Sequence, residues 1–144
     1  MAERLPIRGL QGMTHFWNVS QRVGGRQDCT NLPTDVELTK VLMKKALEDP
    51  TLAAVVGRTP FPQIVVNGQW DAVIGYWIFR FQDHDGHPVI DGVASHAKTL
   101  VYQPGSAWVI GLINIRANKV DPKFHRELPQ NQTLSQQLRN ELSK

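Results

Sequence analysis

The stretch VVNGQWDAVIGYWIFRFQDHDGHPVIDG, residues 65–92, carries the same punctuation twice: an apolar pair and then an Asx-Gly dipeptide, at Asn67 and Gly68 and again at Asp91 and Gly92. Glycine tolerates φ > 0, and an Asx side chain hydrogen-bonds the turn it begins, so each dipeptide predicts a chain reversal at a nearly fixed angle. Between the reversals Ile74, Trp77, Ile78 and Phe81 recur at i, i+3, i+4 and i+7, the period of a helix buried on one face. Asp71 stands where an N-cap belongs. The repetition is therefore architectural: it aims the chain around one aromatic-rich helix, which should form the centre of the core.

The remaining elements follow from the same rules. LPTDVELTKVLMKKAL predicts a helix in which Thr34 and Glu37 have capping-box spacing after Pro33, and Leu38, Val41, Leu42 and Ala46 line one face. Asp49-Pro50 ends it, because a residue before proline is driven out of the α region. Residues 51–62 read as a connector with a short helical piece at Leu52 to Val56. Ser95 can cap a short third helix reaching about Leu100. SAWVIGLINIRAN is apolar at both alternations and predicts a buried strand over 108–115, a buried helix being the alternative. Thr133 is placed to cap a last helix over 133–143, striped by Leu134, Leu138 and Leu142. Residues 1–33, rich in Gly, Pro, Asn and Gln, read as an irregular arm with an apolar knot at His15, Phe16, Trp17 and Val19 and a tight turn at Gly24 and Gly25.

Composition narrows the functional classes. With 144 residues and 41% apolar side chains the chain can fill one core. A single cysteine, Cys29, excludes an internal disulfide and a cysteine-built zinc knuckle. No window approaches the roughly 20 apolar residues of a membrane span, and the start lacks a secretory signal. The expectation is a chain made in the cytoplasm that does not insert into membranes. Sixteen basic against thirteen acidic residues give a formal charge of +3. The basic residues are scattered without aromatic interleaving, which argues against nucleic acid as a partner and suits an anionic polymer such as a bacterial wall.

The ordered set of motifs resembles a known family. The capped helix DVELTKVLMKKAL, the turn and helix VVNGQWDAVIGYWIFRFQ with its terminal Phe-Gln, and the second turn in PVIDGVASHAKTL are similar to the small three-helix peptidoglycan-binding domains of bacterial wall amidases and peptidases. SQRVGGRQDCTNLPTDV resembles the lead-in to such domains, placing Val23, Gly24, Asn31 and Asp35 in the family's order. The resemblance spans residues 20–100. It departs from the family after each turn, where Ala72 to Gly75 and Ser95 to Thr99 replace the usual Gly or Pro-Lys-Thr. It implies a mainly α fold: a compact three-helix orthogonal bundle over 20–104, an N-terminal arm over 1–19, and a C-terminal extension over 105–144 with a possible short β segment and an amphipathic helix. The expected core is Leu38, Val41, Leu42, Ile74, Trp77, Ile78 and Phe81.

Few residues carry reactive chemistry. Asp83, His84, Asp85 and His87 offer metal-type ligands, but the run lacks both the downstream Glu of a calcium loop and the helical spacing of a zinc peptidase, so a solvated turn is expected and no metal or cofactor. His15, His96 and His125 are isolated. Cys29 has no local basic partner that would lower its pKa, and no nucleophile-elbow, phosphate-loop or dinucleotide motif occurs, so no enzyme activity is expected. The candidate ligand contacts are Trp70 beside the first turn and Tyr76 and Arg80 on the outer face of the central helix, since aromatic faces stack on sugars and Arg pairs with carboxylates. Trp70 could equally cover the bundle's edge. Two functions follow. One is non-catalytic binding of peptidoglycan fragments by a protein of a bacterium or bacterial virus, delivered to the envelope by lysis, a phage tail or an injection machine. The other is a structural subunit of such a particle, meeting protein partners through the N-terminal arm and the C-terminal helix.

Overall fold

The first helix, α1 (Pro33–Ala46), runs through the middle of the molecule, with every residue from Thr34 to Met43 buried. The computed structural model describes residues 1–52, 63–85, 87–98 and 108–144. The apolar stripe Leu38, Val41, Leu42 and Ala46 is buried as its spacing predicts. So are the polar residues between, and buried polar groups must find partners. Each takes hold of a different segment. Asp35 accepts hydrogen bonds from the Ser20 N–H and hydroxyl and from the Gln21 N–H, all at 2.9 Å. Glu37 accepts from the Ser135 N–H at 2.9 Å and its hydroxyl at 2.6 Å. Lys40 donates to Asn67 Oδ1, the Gln69 carbonyl and Asp71 Oδ2 at 2.7, 2.5 and 2.7 Å.

These bonds correct the start of α1. Leu32 is the N-cap and makes no side-chain bond, because Pro33 at the first helical position already has the required φ and no N–H to satisfy. Thr34 lies inside the helix, and the expected capping box with Glu37 does not form. Glu37 is drawn instead to the far end of the chain.

The central aromatic helix, α2 (Ala72–His84), opens as expected, with Asp71 accepting the Ile74 N–H at 3.0 Å and Ile74, Trp77, Ile78 and Phe81 buried. Both Asx residues close their turns: Asn67 accepts the Gln69 N–H at 3.1 Å and Asp91 the Val93 N–H at 3.0 Å. The glycines differ. Gly92 has φ +71°, where a side chain would be strained. Gly68 does not have positive φ; it is needed because a Cβ there would come within 3.0 Å of the Pro33 Cβ. Among the described residues the second turn leads into no helix: Ala94 pairs with Val23 in an isolated antiparallel bridge, and residues 95–98, from the expected cap Ser95 onward, are not helical. Residues 99 and 100 of the expected third helix, and all but Leu52 of the expected helical piece at 52–56, lie outside the described residues. Pro50–Leu52 forms a single 3₁₀ turn.

The segment expected as a strand over 108–115 is a helix, α3 (Val109–Val120). Its buried positions Ile110, Ile113, Asn114 and Ala117 recur at i, i+3, i+4 and i+7 and face α1 and the N-terminal segment. Half-buried Leu112 and Ile115 supplied the misleading alternation. Packing on α1 thus overrides the β preference of the Ile and Val residues. Asp121 ends α3 and caps α4 (Pro122–Arg126) by accepting the Phe124 N–H at 3.0 Å. After a 3₁₀ turn at Leu128–Gln130, α5 (Gln136–Leu142) is capped by Ser135, which accepts the Leu138 N–H; the expected cap, Thr133, bonds Asn131 instead. Leu134, Leu138 and Leu142 form a buried stripe.

The N-terminal arm is not irregular. Strands β1 (Glu3–Pro6) and β2 (His15–Asn18) pair antiparallel with Arg4 opposite Trp17 and Pro6 opposite His15. Three asparagine amides then act as one-residue ladders, each bonding both the N–H and the C=O of a distant residue: Asn18 with Ala97, Asn31 with Gly24, and Asn114 with Trp17, at 2.8 to 3.0 Å. One apolar cluster runs from Ala2 to Leu142, and a smaller one joins Ile7, Met13 and Phe16. Residues 1–19 and 108–144 therefore share the core of the middle segment. The fold is mainly α, with five α-helices and a two-stranded sheet among the described residues.

Candidate functional site

The second Asx-Gly turn is held by Gln82, the Gln of the Phe-Gln pair that ends α2. Its buried amide oxygen accepts the Asp91 and Gly92 N–H groups at 3.1 and 2.8 Å, while its nitrogen donates to Asp91 Oδ1 and the Val93 carbonyl at 3.1 and 3.3 Å. Lys40 does the same for the first turn. Each bend is thus gripped by one buried polar side chain from a helix, which makes it a rigid edge.

Beside the second edge lies a groove of about 290 Å³ walled by Arg22, Arg26, Gln82, Val89, Asp91 and Trp108. Arg22 pairs with Asp28, and Arg26 reaches Asp28 at 3.4 Å and Asp91 at 3.3 Å, both guanidiniums being half exposed. Exposed, exchangeable ion pairs are weak, so these cations can be claimed by an entering anionic group. Trp108, half-buried at the N-cap of α3, offers an aromatic wall. Arg22 and Arg26 were not singled out in the sequence, and Trp108 was hidden inside a segment read as a strand.

The residues singled out in the sequence are placed as follows. Trp70 is partly buried against the main core, with its ring over Gly25 and Gly75. Tyr76 is 38% exposed and meets Trp77 edge-to-face at 5.2 Å, and Arg80 one turn later is half-buried. In the acidic-histidine run, Asp85 accepts from the Arg116 guanidinium at 2.7 Å and contacts His84 Nδ1 at 2.8 Å, while His87 Nδ1 lies 2.7 Å from the Val89 carbonyl and 3.2 Å from its N–H. Arg116 also bonds Asp49 at 2.9 Å, so one guanidinium ties the ends of α1 and α2 to α3. Burial alone would raise the Asp49 pKa, but the Thr51 N–H and hydroxyl and Arg116 outweigh it and hold the carboxyl well below the usual range. Among the described residues no three His, Cys, Asp or Glu side chains converge as a metal cage.

Cys29 is half-buried, and burial pushes its thiol pKa up, the reverse of what a nucleophilic thiolate needs. His96 Nδ1 lies 2.7 Å from the Val19 carbonyl oxygen and 3.0 Å from the Asn18 amide nitrogen. His15 and His125, far apart in sequence, come together with ring centroids 5.3 Å apart. His125 is buried, its Nε2 lies 2.7 Å from Asn114 Oδ1, and its carbonyl accepts the Trp17 indole N–H at 2.6 Å. Compared with family models, curated proteins and solved structures, the chain shows no match.

Proposed function

We propose that the chain is a non-catalytic binder of peptidoglycan fragments, built on a variant of the three-helix wall-binding bundle, with the groove beside the second Asx-Gly turn as its ligand site. The observation that carries this reading is the groove itself, where an indole wall, two exchangeable guanidiniums and a rigid Asx edge converge. An indole stacks on the apolar face of a sugar, and Arg pairs bidentately with a carboxylate of the kind that stem peptides carry. In this reading Trp108, Arg22 and Arg26 act through shape and hydrogen bonding. No helix among the described residues is long and apolar enough to cross a membrane.

Co-sedimentation with insoluble peptidoglycan tests the reading. The protein is expected in the pellet, and Arg26→Gln and Trp108→Ala are expected to weaken retention while circular dichroism stays unchanged. A specific observation favours a second reading, the structural subunit of a phage tail or injection particle: Tyr76, Phe79, Val89 and Ile90 around the outer side of α2 are exposed at 38%, 46%, 52% and 43%. The N-terminal strands and C-terminal helix that first suggested docking are packed on this chain's own core. Absence from the pellet together with concentration-dependent oligomers would favour the subunit.

A further inference from the structure

The groove beside the second Asx-Gly turn holds charges of both signs, and their order constrains its ligand more than the arginines do alone. Arg22 pairs with Asp28, Asp28 reaches Arg26 at 3.4 Å, and Arg26 reaches Asp91 at 3.3 Å. The row alternates in sign, and two Arg against two Asp leave it without net charge. Such a row exerts little long-range pull on a simple anion. The remaining titratable lining group, His87, turns its Nδ1 to the Val89 backbone, 2.7 Å from the carbonyl oxygen.

Asp91 is the fixed member of the row. Its Oδ1 accepts the Val93 N–H at 3.0 Å and the amide nitrogen of Gln82 at 3.1 Å, and Gln82 is itself buried. Oδ2 faces Arg26 Nη1 across 3.3 Å. A lone carboxylate settling on Arg26 would take the cation from Asp91 and set two like charges side by side, which repel. A ligand that brings an ammonium beside its carboxylate replaces both halves of the ion pair at once. Because the pair is only 3.3 Å across, the ligand's two charges must also be close neighbours, as they are on one α-carbon.

We propose that the groove selects a zwitterionic α-amino-acid head. The carboxylate lies on Arg26 and Arg22, whose guanidiniums match its geometry, the ammonium donates to Asp91 Oδ2, and the rest of the ligand packs on the Trp108 ring. The proposal rests on the reading of this groove as the wall binder's ligand site. It narrows the ligand to stem-peptide residues whose ammonium and carboxylate are both free.

Leucine, N-acetyl-leucine and leucinamide present the zwitterion, the anion and the cation on one apolar side chain. Each is titrated into the full chain at neutral pH and equal ionic strength, with calorimetry and the NMR shifts of the Arg26 Nε–H, the Gln82 amide and the Trp108 indole as readouts. Leucine is expected to saturate these shifts and to bind at least about tenfold tighter than either derivative, the worth of one charge-assisted hydrogen bond. Asp91→Asn keeps an Asx oxygen for the turn, as Asn67 does in the first turn, and should bring leucine down to the level of N-acetyl-leucine. Arg26→Gln, at a half-exposed position, should bring it down to the level of leucinamide. Equal binding of leucine and N-acetyl-leucine, a leucine preference that survives Asp91→Asn, or no saturation at these three groups would overturn the proposal. The three-ligand comparison on the unaltered chain decides even where Asp91→Asn disturbs the turn. The two readings fail separately: a chain that pellets with peptidoglycan without preferring leucine loses only the zwitterion site, and one that prefers leucine but stays in the supernatant loses only the wall.

Discussion

Replacing Lys40 by methionine isolates the link between α1 and the first Asx-Gly turn. Methionine keeps most of the stem that fills the core but deletes an ammonium that is 0% exposed and donates to Asn67, Gln69 and Asp71. Water can repair part of the loss, because the Asp71 side chain is 41% exposed, and Asn67 keeps its bond to the Gln69 N–H. The Gln69 carbonyl has no other donor among the described residues. The cost therefore falls between one charge-assisted hydrogen bond, about 1.5–3 kcal/mol, and the 3–5 kcal/mol typical of a broken buried pair, at roughly 3 kcal/mol. For a chain of this length that lowers Tm by about 10 °C. Urea unfolding at neutral pH reads it directly.

A second signature distinguishes the ion pair from mere packing. Burial taken alone raises the Asp71 pKa, but hydrogen bonds from Lys40 and the Ile74 N–H overcome it and hold the carboxyl below the ordinary range. A depressed carboxyl contributes stability above its unfolded pKa and loses it as pH falls through the folded value. The Lys40→Met penalty should accordingly shrink toward the acid end of the stable range. A loss below about 1 kcal/mol at neutral pH, or a penalty independent of pH, would refute the assignment of Lys40 as the clamp of this turn.

Three other perturbations test the remaining packing. Asn114→Leu removes both bonds to the Trp17 backbone and the contact with His125, so about 3 kcal/mol of stability should be lost, with faster amide exchange at Trp17; unchanged exchange there would refute the ladder role. Gly111→Ala places a Cβ 2.7 Å from Phe16 Cε2, and the strain of about 1–3 kcal/mol should exceed the gain of about 1 kcal/mol in helix propensity, so a stabilised variant would contradict the close approach. His125 is pushed down to about 3 by burial first and His15 second. Between about 6.5 and that value only the unfolded chain binds this proton, so acidification should remove up to about 1.4 kcal/mol per pH unit. His125→Gln should flatten that slope in acid unfolding curves, and an unaltered slope would count against a neutral buried imidazole.

Local chemistry was legible where a segment's own residues settle its conformation. Asp71 as a cap, the four buried positions of α2, both Asx turns and the leucine stripe of α5 need only neighbours within a few places. The Thr34 and Glu37 capping box failed because Glu37 is claimed by Ser135, about a hundred residues away. The segment at 108–115 was misread because its Ile and Val residues satisfy both a strand and a buried helix, and only contact with α1 selects between them. The groove was not legible, since the sequence pointed to Trp70, Tyr76 and Arg80, whereas Arg22, Arg26 and Trp108 meet only through the fold. The pairing of His15 with His125 had no local signal at all.

Periodicity and turn residues, then, determined where this chain bends and which faces of its helices avoid water, because those choices turn on interactions between near neighbours. The tertiary structure alone decided which polar side chains are buried, and with whom: Asp35, Glu37, Lys40, Gln82 and Asn114 each bond segments remote in sequence. Burying a polar group is tolerable only when a specific partner arrives from elsewhere, and no pattern within a single segment announces that partner.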